Sequence, residues 1–110
     1  MKIIITESQM TFLKQKEFVK NHIKNYCKEK NIPFVDYDME VDNLDVFRAP
    51  MYGVDEGTPI LNFIFITKEY IGYEVEKELF DEIEFVMSMV FSRTEDDKPS
   101  AIWGYQLLYV

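Results

Sequence analysis

The sequence predicts an α+β domain, a mainly antiparallel sheet of about five strands with two helices on one face. Three observations carry this. Residues 34–42 alternate apolar and acidic side chains, the period of a half-buried strand. Residues 7–30 and 73–91 repeat apolar side chains every three to four positions, the period of a helix. Short apolar or aromatic runs at 60–67 and 101–110 are bounded by glycine or proline, as strands are. The predicted order is β-α-β-β-β-α-β, which contains the split β-α-β pattern of ferredoxin-like domains with one added strand. Residues 1–110 read as a single domain.

Each element has a local cause. Lys2–Ile5 is a short β-branched run. Thr6-Glu7-Ser8-Gln9 has capping-box spacing, so a helix should begin at Glu7. Phe12, Leu13, Val19, Ile23, Tyr26 and Cys27 share one face of it. Asn31 suits the left-handed position after the helix, and Pro33 prevents continuation. Val35, Tyr37, Met39 and Val41 then form the apolar side of a strand. Asp42-Asn43 is expected to turn, and Leu44–Ala49 to form a short strand ended by Pro50. Residues 51–59 hold Gly53 and Gly57 and read as a loop. Ile60–Thr67 is apolar on both sides apart from Asn62, which places it centrally in the sheet. After Tyr70-Ile71-Gly72, a helical face comprises Val75, Leu79, Phe80, Ile83, Val86, Met87, Val90 and Phe91. For residues 85–91 a strand is the alternative. Ala101–Val110 reads as the last strand.

Composition excludes several classes. The chain has 110 residues, too few for two typical domains, and its 47% hydrophobic and 15% aromatic content argues against disorder. Twelve basic and twenty acidic residues leave a formal charge of −8, which argues against nucleic-acid binding through bulk positive charge. One cysteine, Cys27, allows no intrachain disulfide and fits a reducing compartment. The longest apolar run, Phe63–Ile66, is far short of the ~20 residues of a membrane span. The opening segment lacks a cleavage site of signal-peptide type. The expected location is the cytosol, and no membrane partner is expected.

No catalytic constellation emerges. His22 and Cys27, the sole residues of their types, stand five apart on a helix and diverge by roughly 140°. Cys27 falls on the apolar face as a small core residue, and His22 on the edge of the polar face as a solvated one. One histidine and one cysteine cannot make a zinc site, and the acidic run lacks the glycine of a calcium loop. A metal-dependent nuclease would need carboxylates converging on the 36–42 row, and nothing marks them. No cofactor is expected, and neither is an enzymatic activity.

Charge is unevenly placed. Residues 1–30 hold seven lysines against three acids, a local +4, and the remainder is −12. Lys16, Lys20, Lys24 and Lys28 recur at i+4 as one ridge, either a solvated face or one that docks onto an acidic surface or a phosphate backbone. Asp36, Asp38, Glu40 and Asp42 form an acidic row with a repeat of about 6.7 Å, either a solvated face that also discourages sheet-to-sheet aggregation or a mimic of a run of phosphates. Phe85 and Met89 lie off the main apolar stripe one turn apart, a pair that suits a protein contact, and Met10 and Phe18 lie off the stripe of the first helix.

The opening Lys2-Ile3-Ile4-Ile5-Thr6-Glu7-Ser8-Gln9 is similar to the start of small uncharacterised proteins of tailed bacteriophages. The resemblance covers eight residues and implies a phage-encoded accessory protein, either part of a particle or a host-directed inhibitor in the host cytosol. It implies no catalytic residues. The resulting expectation is a non-enzymatic protein-interaction module, a small phage structural or assembly component. Its partner-binding residues would be the lysine ridge with Phe85 and Met89, and it could form a homo-oligomer. The alternative is an acidic inhibitor that mimics nucleic acid through Asp36, Asp38, Glu40 and Asp42 and occupies a host defence or DNA-binding protein. Direct nucleic-acid binding is not expected.

Overall fold

The computed structural model describes residues 7–43, 57–93 and 95–110. The elements are α1 (Glu7–Glu29), β1 (Phe34–Asn43), β2 (Pro59–Thr67), α2 (Tyr73–Val90) and β3 (Ile102–Tyr109). Neither helix is long and apolar enough to cross a membrane. α1 is already helical at Glu7 and ends where Asn31 takes a positive φ of 56°. Asn31 N–H and Ile32 N–H close the last turn on Lys28 O and Cys27 O. Gly72, at φ 86°, makes the turn into α2 that a residue with a Cβ rarely adopts. Residues 85–90 are helical, which excludes the strand alternative there.

The sheet corrects the expected architecture. Among the described residues it has three strands in the order β1-β2-β3, not about five, and it is mixed rather than mainly antiparallel. β1 and β2 are antiparallel, whereas β2 and β3 are parallel neighbours with α2 as their crossover. A ferredoxin-like split β-α-β unit leaves room for another strand between its parallel pair. Here Ile60 pairs directly with Ile102 and Thr67 with Tyr109, so the unit is not split. The strands expected at 2–5 and 44–49, and the capping role of Thr6, lie outside the described residues. The turn expected at Asp42-Asn43 is absent, because both residues stay in β1, opposite Ile60 and Pro59.

Alternation in β1 also shifts. The register slips between Phe34 and Asp36, so Val35 is the extra residue of a bulge and turns outward. Phe34 takes the inner side instead, its ring 4.8 Å from that of Phe65. Both helices lie over this side. Val19, Ile23 and Cys27 of α1 and Leu79, Ile83, Val86 and Met87 of α2 share one core with Met39, Leu61, Phe63 and Phe65. Two residues of the expected helical stripes, Leu13 and Phe80, are exposed. Thr67 is the buried polar residue of the core, and its Oγ1 is fully engaged. It accepts from Glu69 N–H at 3.2 Å and lies 3.0 Å from Pro33 O and 2.9 Å from Glu69 O.

Candidate functional site

α1 and α2 run antiparallel. Gln15 Nε2 donates to Val90 O at 3.2 Å, the Phe12 and Phe91 rings are 6.0 Å apart, and farther along His22 Nε2 lies 2.7 Å from Glu82 Oε1. His22 is therefore not merely solvated. The fold brings a carboxylate from sixty residues away to its ring, and the Phe18 ring stacks on its other side at 6.1 Å. The same pairing sets Phe18, between Gln15 and His22, level with Phe85 and Met89, between Glu82 and Val90. Beneath them Val19 and Val86 are fully buried, while Phe18, Phe85 and Met89 are 51%, 60% and 54% exposed. The side chain of Met10 lies outside the described ones.

The lysine ridge runs along the flank of α1 beside β1. Lys16 and Lys20 are half-buried, and Lys24 and Lys28 are exposed. Lys20 Nζ lies 3.6 Å from Asp38 Oδ1. At that exposure the pair is worth no more than about 1 kcal/mol. Lys24, Lys28 and Asp36 line one cleft of about 330 Å³ with Cys27, Phe34 and Tyr37. Part of the charge polarity thus meets its complement within the chain. Tyr37 O–H donates to Lys20 O at 3.1 Å. Burial, with lesser effects from Cys27, Asp38 and Glu17, keeps that phenol protonated far above its usual range.

The acidic row occupies the side of β1 away from the helices, and Asp36, Asp38, Glu40 and Asp42 are all exposed. Three of these carboxylates are already engaged by the backbone. Asp36, Asp38 and Asp42 accept through Oδ1 from the N–H of Tyr37, Met39 and Asn43, each at 2.8 Å. Those N–H groups point to the side of β1 that no other described strand occupies. Their partners in β2 are odd-numbered residues, and Thr67 O of that set bonds to Val110 N on the β3 side. The acids therefore cover the edge of β1 against a further strand.

Cys27 is buried among core side chains, and burial pushes its thiol up to about 12. Its thiolate is negligible at neutral pH. Alkylation by iodoacetamide at pH 8 should be at least tenfold slower in the folded chain than in urea. Equal rates would show an accessible thiol and a different packing of α1.

Sequence reasoning missed the surface between α2 and β3. Trp103 Nε1–H donates to Glu84 Oε2 at 2.9 Å and Tyr105 O–H to Glu76 Oε1 at 2.6 Å. Phe80 packs edge-on to Trp103 at 4.7 Å and to Tyr105 at 6.3 Å. The signal was present as the alternate positions Trp103 and Tyr105 and the i, i+4, i+8 series Glu76, Phe80 and Glu84. Their meeting depends on the parallel placement of β3. Among the described residues no three His, Cys, Asp or Glu side chains converge as a metal site requires. Comparison with protein-family models, with curated proteins and with solved structures finds no match for this chain.

Proposed function

We propose that this chain is a non-enzymatic protein-interaction module that associates with a second copy of itself, as a small phage structural or assembly protein would. The carrying observation is the patch of Phe18, Phe85 and Met89 on the outer side of the helix pair. Such a group of exposed apolar side chains over an already filled core favours a protein contact. The charges favour a second copy. The α1 segment carries five lysines against three acids, and α2 six acids against one lysine. A twofold axis running parallel to the helices lays α1 of one copy over α2 of its partner, which sets opposite charges together. The lysine ridge, including Lys24 and Lys28, supplies the basic flank of that arrangement.

Sedimentation equilibrium on the whole chain tests this. A dimer is expected at low salt, weakened as ionic strength rises. Phe85→Ser with Met89→Ser should weaken it by at least about tenfold, since apolar anchors dominate such interfaces. A monomer at all concentrations, or a dimer indifferent to both substitutions, would remove the proposal. The acidic-mimic alternative draws less support, because three of its four carboxylates also serve their own strand edge.

A further inference from the structure

The α2–β3 surface described above lies on the β3 flank of α2, away from the apolar anchors Phe85 and Met89 of that association. Two hollows run along it, of about 470 and about 460 Å³. The first is lined by Tyr73, Glu76, Lys77, Phe80, Asp81 and Tyr105. The second is lined by Glu84, Ser88 and Trp103 among others. The contact between Phe80 and Trp103 divides them.

We propose that this groove binds an extended segment of a partner protein that carries two arginines four residues apart. Aromatic faces attract a guanidinium through their quadrupole, and a carboxylate beside each face offers the paired acceptors that a planar guanidinium matches. Glu76 and Glu84 are oriented for this in advance. Each has one oxygen held by an aromatic donor, which fixes the carboxylate plane, and that oxygen keeps a second lone pair, so a guanidinium can still bridge both oxygens. Their spacing sets the ligand register. Eight helical residues span about 12 Å. Two same-side residues four apart in an extended chain span about 13 Å. That separation is too wide for the two carboxylates to share one metal ion.

Charge selects the class of ligand. Glu76 and Asp81 in the first hollow and Glu84 in the second repel phosphate, so stacked bases of a nucleic acid are disfavoured. Two cations also line the hollows. Arg93, in the second, is held by Asp97, with Nε 2.7 Å from Oδ1 and Nη2 2.6 Å from the carbonyl oxygen. Lys77, in the first, is exposed, and its flexible stem can carry its ammonium out to water.

Trp103 is the sole tryptophan, so its emission reports on the groove. The probe is acetyl-Gly-Arg-Gly-Gly-Gly-Arg-Gly-amide, titrated at low salt into the whole chain. A saturable change in emission is expected. Glu76→Gln with Glu84→Gln should weaken binding by at least about tenfold, through loss of both charge-assisted contacts. Both glutamines retain an acceptor oxygen for Tyr105 and Trp103, and unchanged near-ultraviolet circular dichroism would verify that the rings stay in place. Lys77→Gln should tighten binding. The lysine counterpart of the peptide should bind more weakly. Absence of a saturable change, an equal affinity in the double glutamine variant, or equal affinity for the lysine peptide would overturn the proposal. The double glutamine variant also removes two of the acids of α2 on which the dimer draws, so the two results are separated in the Phe85→Ser, Met89→Ser variant, whose peptide affinity should be unchanged.

Discussion

Phe65→Ala is expected to lower the free energy of unfolding by about 3–5 kcal/mol. Phe65 is fully buried on the inner side of β2. Its ring meets those of Phe34 at 4.8 Å, Tyr37 at 5.2 Å and Phe63 at 6.4 Å. Truncation removes the transfer free energy of the ring, opens a cavity and breaks aromatic pairs worth about 0.5–1.5 kcal/mol each. A domain of this size holds only about 5–15 kcal/mol in total, so the variant should be near or past its unfolding midpoint at modest urea concentrations. Urea titration followed by circular dichroism measures the loss. Phe85→Ala serves as the control, because an exposed ring should change stability by no more than about 0.5 kcal/mol. A loss below about 1 kcal/mol at Phe65 would mean that the core is centred elsewhere.

The second large effect concerns association rather than stability. Replacing Asp36, Asp38 and Asp42 together with alanine should expose the edge of β1 and drive strand-to-strand assembly. The three carboxylates cover the outward N–H groups of Tyr37, Met39 and Asn43. Without them the edge presents free donors beside Val41, itself exposed. The asparagine triple variant separates cap from charge. Both variants change the net charge from −8 to −5, since each removes three acids. An asparagine oxygen can still accept the backbone N–H, and an alanine cannot. Light scattering should show higher assemblies at least about tenfold more abundant in the alanine variant than in the asparagine one. Equal behaviour of the two would assign the protection to charge alone.

How much of this was legible in the sequence varies by element. α1, β1 and α2 could be located from periodicity, because each buries one stripe or one side against a common core, and β2 and β3 from apolar runs bounded by glycine or proline. The stop at Asn31 and the turn at Gly72 were legible as well, since few residues tolerate a positive φ. Val35 was misplaced because a bulge leaves no mark in an alternating pattern and yet exchanges the inward residue from Val35 to Phe34. The strand neighbours were misjudged for a related reason. An apolar run such as Ile60–Thr67 marks a central strand, but it carries no information on which strands lie beside it or in which direction.

The candidate surfaces divide in the same way. Phe85 and Met89 could be singled out from their positions on one helix, because i and i+4 are neighbours wherever the helix sits. That Phe18 joins them depends on the antiparallel docking of α1 on α2, which residues seventy positions apart decide. The His22–Glu82 contact and the pairing of Trp103 with Glu84 and Tyr105 with Glu76 depend likewise on where α2 and β3 settle. For the acidic row, alternation placed Asp36, Asp38, Glu40 and Asp42 on one side of a strand. Only the tertiary structure made β1 an edge among the described strands and turned three of those carboxylates onto its outward N–H groups. By itself the sequence determined the α+β class, the helical and strand periods and the uneven distribution of charge, because these arise from contacts between near neighbours in the chain. The strand order, the meeting of the two helices and the use of each charge were decided by long-range packing, whose free energy depends on partners that local periodicity does not name.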